Sequence, residues 1–206
     1  MQLIGMLDSP FVRRVAISLA VLDIPFEHRA LSVFRHFDAF AKINPAVKAP
    51  TLIADDGAIL IDSSLILDYL DRKVAPERRL MPEDLDARLQ ALRMIGFALA
   101  ACEKTMHDVY EHQLRPAEKQ HAPWVERVQA QLHGAYGQLE ALLAAHKGDG
   151  WLFGGRMMQP DITVAVAWRF TQYILPGVVD PKRFPALVVF SARAEALPEF
   201  IAVPLE

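Results

Sequence analysis

The 206-residue sequence predicts an α/β unit of order βαβ-α-ββα followed by an all-α helical bundle. Three observations carry that reading. Over residues 1–75, short apolar runs alternate with segments of helical spacing. The stretch APERRLMP then interposes two prolines and three charges. Beyond it the apolar positions recur at helical spacing. The expected boundaries are an α/β domain over 1–75, a linker at 76–82 and a helical domain over 83–206.

Each element has a local reason. Residues 2–7 are an apolar run suited to a buried strand. From Pro10, residues Val12, Val15, Ala16 and Leu19 fall on one helical face, and Asp23-Ile24-Pro25 ends that helix. Phe26 to Leu31 alternates enough for a second strand, and a short helix is expected between Phe34 and Ile43. Thr51 to Ala54 and Ala58 to Ile61 flank Asp55-Asp56-Gly57 as a hairpin, and a third helix opens at Asp62 with Ile66, Tyr69, Leu70 and Val74 on one face. In the second half, Leu85, Leu89, Leu92, Ile95, Leu99, Cys102, Met106 and Val109 form one stripe; Trp124, Val128, Leu132, Ala135, Leu139 and Leu142 form another. ITVAVAWRF, after Asp161, is apolar nearly all round, as a helix in the middle of a bundle would be, and a last helix is expected from Pro185 to Ala196.

Composition excludes several classes of function. With 52% hydrophobic and 23% charged residues and a net charge of −3, the chain offers no basic field for nucleic acid. The single cysteine, Cys102, makes no internal disulfide, which fits a reducing, cytoplasmic location. No basic leader and no apolar stretch near the ~20 residues of a membrane span is visible, so neither signal nor anchor is expected.

Three constellations bear on chemistry. Ser9 precedes Pro10 at a strand-to-helix junction. Its ordinary role is a helix cap, with proline at the first helical position. The same geometry, a hydroxyl beside unpaired helix N–H groups, also suits an anion such as a thiolate. A thiol of pKa about 8.5 is only ~3% ionised at pH 7, whereas a pKa near 6.5 makes it roughly 75% ionised, a difference of ~2.7 kcal/mol. A hydrogen bond to a charged group, about 1.5–3 kcal/mol, and a helix terminus, about 0.3–1, together reach that figure. Without a GxSxG elbow, Ser9 itself does not read as a hydrolase nucleophile. Asp62-Ser63-Ser64 is a second helix start with the same two readings. Lys48-Ala49-Pro50-Thr51 is ordinarily a trans turn, but a cis Pro50 would aim the Ala49 backbone at a ligand along the strand edge.

At these residues a resemblance enters. SPFVRRV after the first strand, NPAVKAPTL before the hairpin and DSSLILDYL at the third helix resemble the amino-terminal, thioredoxin-like domain of cytosolic glutathione transferases. RPAEKQ with Trp124, WLFGGRMMQPDITVAVAW and FPALVVFSARAEALPEF resemble that family's all-α domain, and serine followed by Pro-Phe is similar to its bacterial serine-type members. The resemblance implies that Ser9 donates to the glutathione sulfur with Phe11 beside it. It implies further that Ala49, before a cis Pro50, pairs its backbone with the cysteinyl part, and that Asp62 and Ser63 hold the γ-glutamyl end. Lys48 and His36 are candidates for the glycyl carboxylate. Glutathione is then a co-substrate, a small apolar electrophile its acceptor, a metal is not required, and a homodimer is expected. The alternatives are a non-catalytic binding module of the same fold, or a glutathione-dependent isomerase or dehalogenase; thiol reduction is disfavoured because position 9 lacks a sulfur.

Two departures from the family pattern are visible. Ala49 stands where valine is usual, and Met158-Gln159-Pro160-Asp161 replaces a capping box that begins with Ser or Thr, so the reciprocal cap is expected to be missing. Other residues have bland readings: Cys102 as core, with a redox nucleophile as the alternative; His107 and Glu111 as a helix face without enough partners for a metal; and Arg13 and Arg14 as a solvated face, with a local field that favours anions as the alternative. Gly148 to Gly155 lacks the Lys-Ser/Thr of a phosphate loop. Tyr110 and Trp168 are core residues by default, with an acceptor pocket as the alternative.

Overall fold

The computed structural model describes residues 1–148 and 150–205. Their order is β1 (Gln2–Ile4), α1 (Pro10–Val21), β2 (Glu27–Arg29), α2 (Phe37–Ala41), β3 (Thr51–Ile53), β4 (Ile59–Leu60) and α3 (Ser63–Arg72). Then come α4 (Leu85–Leu114), α5 (Ala122–Ala145), α6 (Gln159–Ile174), α7 (Pro185–Glu195) and α8 (Pro198–Ile201). The chain divides into two units, one of Met1–Met81 with Ala196–Glu206, the other Pro82–Glu195. Residues from 196 onward, read from the sequence as part of the helical domain, thus group with the first unit.

The first unit has the predicted βαβ-α-ββα order around a four-stranded sheet, β2-β1-β3-β4. Leu3, Ile4 and Leu52 of the sheet and Val12, Val15, Ile17 and Leu19 of α1 are completely buried. The strands are shorter than the apolar runs that announce them. β1 stops at Ile4 because Gly5 takes φ 140°, a conformation that favours glycine. A Cβ there would lie 2.6 Å from Val12 Cγ2 and 3.1 Å from Ala49 Cβ, so glycine also lets the chain pass closely between helix and loop. The linker contains a 3₁₀ turn at Pro76–Arg78.

Arg13 and Arg14 correct the expectation of a solvated face: both are buried. Arg13 Nε donates to the Val203 carbonyl at 2.9 Å, Nη2 to that of Phe200 at 3.4 Å, and the guanidinium lies 5.7 Å from the Phe200 ring centre. It thereby ties α1 to α8, an element too short to show a periodic pattern in the sequence.

In the second unit α6 is the central helix, buried on nearly every side from Gln159 to Phe170, as its unbroken apolar run predicts. Tyr136 donates to the Ala167 carbonyl at 2.8 Å, so Thr171, 2.6 Å away, donates to Tyr136, and Thr105, 2.7 Å from Thr171, donates in turn. That directed chain links α4, α5 and α6 inside the core, and burial holds the Tyr136 phenol well above its usual pKa. Trp168 is core, with its ring centre 5.1 Å from that of Tyr136 and 5.7 Å from that of Phe184, and Cys102 is buried. Glu140 accepts from the first N–H groups of α7, those of Ala186 and Leu187, at 2.9 Å each.

The α6 amino terminus departs from expectation in part. Met158 brings no hydroxyl, but Asp161 supplies its half of the box: Oδ2 accepts from Met158 N–H at 2.8 Å and Oδ1 from Leu152 N–H at 3.0 Å. Burial raises the Asp161 carboxyl to a pKa of about 6 against the pull of those N–H groups. The long α4 stripe is also only half core. Ile95, Cys102 and Val109 are buried, whereas Leu85, Leu89 and Leu92 are exposed at 78%, 60% and 50%.

Candidate functional site

Sheet topology alone gathers the candidate residues of the first unit. β1 runs antiparallel to β3 and β3 antiparallel to β4, so the carboxyl ends of β1 and β4 and the amino end of β3 share one edge. Ser9 follows the first of these ends, Ala49 and Pro50 precede the second, and Asp62 and Ser63 follow the third.

Ser9 is the N-cap of α1 in backbone terms, with φ −74° and ψ 123°, and its carbonyl accepts from Arg13 N–H at 2.9 Å. Its side chain makes no capping hydrogen bond. The hydroxyl is half-buried at a helix start that carries no acidic residue in its first turn. A helix amino terminus bears roughly half a positive elementary charge, so this end favours an anion. Phe11, one residue into α1, is also half-buried.

The Ala49–Pro50 peptide is cis, as the resemblance implies. The loop before it is organised by Asn44, which is 5% exposed. Asn44 Nδ2 donates to Thr51 Oγ1 at 2.9 Å, and its Oδ1 accepts from Ala46 N–H at 3.0 Å; Thr51 Oγ1 donates to the Lys48 carbonyl at 2.7 Å. These bonds hold Val47 at φ 46°, a left-handed conformation that a β-branched residue reaches at a cost of ~1–2 kcal/mol. That Asn44 and Thr51 organise this loop was missed by sequence reasoning; the signal was a pair of short polar side chains bracketing the proline-rich loop. The Lys48 side chain is exposed.

Asp62 and Ser63 separate two roles that the sequence left joined. Asp62 is the true N-cap of α3, with Oδ1 accepting from Ser64 N–H at 2.9 Å. Ser63 is 3% exposed and does not cap; its Oγ accepts from Arg14 Nη1 at 3.2 Å, and Ser64 Oγ lies 3.4 Å from the same nitrogen. The contact of Arg14 with Ser63 is a further feature that the sequence did not show, because a charged residue on a helix reads as surface by default.

The remaining candidates are His36 of the first unit and residues of the second unit. His36 is exposed, with Nδ1 accepting from Ser32 N–H at 3.1 Å. Glu111 accepts from His121 N–H and pairs with Arg115, both at 2.9 Å, while His107 lies against Trp124 with ring centres 5.9 Å apart. The two therefore serve the α4–α5 junction, and among the described residues no three His, Cys, Asp or Glu side chains are grouped to hold a metal ion. Tyr110 is half-buried on α4. The glycine-rich stretch at 148–155, of which Asp149 lies outside the described residues, makes a turn at Trp151 and Gly154. Arg193 sits over the Trp151 ring there, 4.1 Å from its centre.

Comparison with known proteins bears on the family and the fold. Residues 3–78 match the family pattern of the glutathione S-transferase N-terminal domain, and residues 122–193 that of its C-terminal domain. The crystal structure of a glutathione S-transferase from Methylobacterium radiotolerans, in complex with glutathione sulfonate, has a TM-score of 0.89 and 30% identity, covering 100% of this chain and 95% of that one. The chain belongs to the glutathione S-transferase family. Its first unit is the thioredoxin-like domain of that family and its second the helical one. Within the family it is 28% identical to the uncharacterized GST-like protein YibF of Escherichia coli K12, over 97% of this chain and 98% of that protein. It is 27% identical to a probable maleylacetoacetate isomerase of Vibrio cholerae, over 96% of this chain and 92% of that one. Among the described residues no helix is long and apolar enough to cross a membrane.

Proposed function

We propose that this protein is a cytoplasmic glutathione transferase in which Ser9 holds the tripeptide's sulfur as a thiolate for attack on a small, largely apolar electrophile. The observation that carries the reading is the uncommitted Ser9 hydroxyl at the start of α1, on the same sheet edge as cis Pro50 and Ser63. The glutathione sulfonate held by the Methylobacterium relative supports the choice of ligand. In this reading Ser9 donates its hydrogen to the sulfur while the α1 terminus adds its field. Phe11 lies beside the sulfur, Ala49 pairs its backbone with the cysteinyl segment, and Asp62 and Ser63 hold the γ-glutamyl end. Lys48 serves the glycyl carboxylate. The thiolate attacks the electrophilic carbon, and the acceptor's leaving group departs with the bonding electrons.

Ser9→Ala tests the assignment. Loss of a hydrogen bond to a charged group should lower kcat/KM for a generic electrophile by about 10- to 100-fold. It should also raise the pKa of the bound sulfur, read from thiolate absorbance as pH is varied. An unaltered titration in a folded variant removes Ser9 from the mechanism. Retention on immobilised glutathione without turnover would instead mark a binding module.

The Vibrio relative supports a second reading, isomerisation, in which the same thiolate adds to a conjugated double bond and leaves after rotation. Product mass separates the two, since only conjugation keeps the glutathione. We also assign the exposed Leu85, Leu89 and Leu92 of α4 to a homodimer contact.

A further inference from the structure

We infer that Arg14 is a positioning residue for the γ-glutamyl carboxylate: by occupying a lone pair of the Ser63 hydroxyl from inside the fold, it turns that hydroxyl's hydrogen towards the ligand. The inference rests on the glutathione reading above. Arg14, on the buried face of α1, is 2% exposed, and its Nη1 lies 3.2 Å from Ser63 Oγ and 3.4 Å from Ser64 Oγ. A guanidinium has donors only and keeps its charge at any pH a protein survives. Ser63 Oγ must therefore accept, and the hydroxyl's hydrogen, bound to no other described residue, is left to donate.

The neighbouring residue Asp62 carries a carboxylate, but its Oδ1 is occupied by Ser64 N–H. Ser63 also opens α3, a helix of 10 residues, so its surroundings favour negative charge. The partner that completes this arrangement is an acceptor-only group with a full negative charge. A neutral carboxamide at the same place accepts more weakly and brings an N–H₂ that faces another donor. Arg14 thus makes the site selective for a free α-carboxylate, through Ser63 and without touching the ligand.

A purely structural tie between α1 and α3 would lower stability and weaken all ligands alike. Positioning changes discrimination instead. The experiment compares glutathione with its analogue in which the γ-glutamyl α-carboxylate is a carboxamide, by calorimetric Kd and by KM with a generic electrophile. The wild type should prefer glutathione by about tenfold or more, the range of a charge-assisted hydrogen bond. Arg14→Met should cut that preference to about twofold by raising KM for glutathione, with kcat changed by no more than about twofold. Ser63→Ala should do the same, and the double variant should lose little more than either alone.

A folded Arg14→Met variant that keeps the wild-type preference overturns the inference, as do fully additive losses in the double variant. Should Arg14→Met not fold, Ser63→Ala decides: a preference left intact there also overturns it. A wild type that binds neither tripeptide defeats the glutathione reading itself, whereas one that binds glutathione with a preference indifferent to position 14 defeats this inference alone.

Discussion

At Gly5 the backbone of β1 turns away from the sheet with φ 140°, and the space a side chain would need is taken by Val12 and Ala49. Gly5→Ala meets both penalties, a strained backbone and overpacking, and is expected to lower stability by about 2–4 kcal/mol in urea unfolding. Because Ala49 is one of the two neighbours crowded, the other being Val12, glutathione affinity should fall in the same variant; a binding constant that stays constant would separate the Ala49 loop from the site. Among single residues, the helix starts at Ser9 and Asp62 were legible because capping chemistry is local to a few neighbours, and the cis bond at Pro50 was legible through the resemblance. Arg13 and Arg14 were not. The partners named above lie 49 to 190 positions away in the chain, and no spacing rule reports a contact of that range.

At the scale of elements, the α6 terminus makes a pH-dependent contribution with a definite sign. The Asp161 carboxyl has a folded pKa of about 6 against an ordinary 3.8. Between those values the folded protein binds more protons than the unfolded one, so this group's contribution to stability is complete below pH 3.8 and is lost as pH rises through 6. Asp161→Asn has no such slope. Its destabilisation relative to wild type should therefore be largest near pH 4 and shrink by about 3 kcal/mol towards pH 7, measured by urea unfolding across that range. A difference independent of pH would mean that Asp161 is not perturbed by burial. The long helices were readable from apolar periodicity alone. The strands were readable in place but not in length, since pairing at β1, β2, β3 and β4 covers only two or three residues each and ends where neighbours stop, which one strand's own sequence does not state.

Over the whole molecule, the change from alternating to purely helical pattern was visible in the sequence, and the break between units falls at Met81 and Pro82 within the proline-rich stretch. The leucines at the start of α4 belonged to an apolar stripe in the sequence, but periodicity says nothing about what covers it. If a second copy does, Leu89→Arg should shift the mass in sedimentation equilibrium from two chains to one; a wild type that is already a single chain sinks the homodimer. The membership of Ala196–Glu206 in the first unit had no readable signature. α8 is one turn long, and Arg13 holds it through backbone carbonyls, which every residue type presents equally.

That attachment has a consequence for biosynthesis. Residues Pro82–Glu195 leave the ribosome between α1 and the segment that seals it, so Arg13 waits for Phe200 and Val203 while the helical unit is being made. The nascent thioredoxin-like unit therefore reaches its final packing only after its downstream neighbour has been translated.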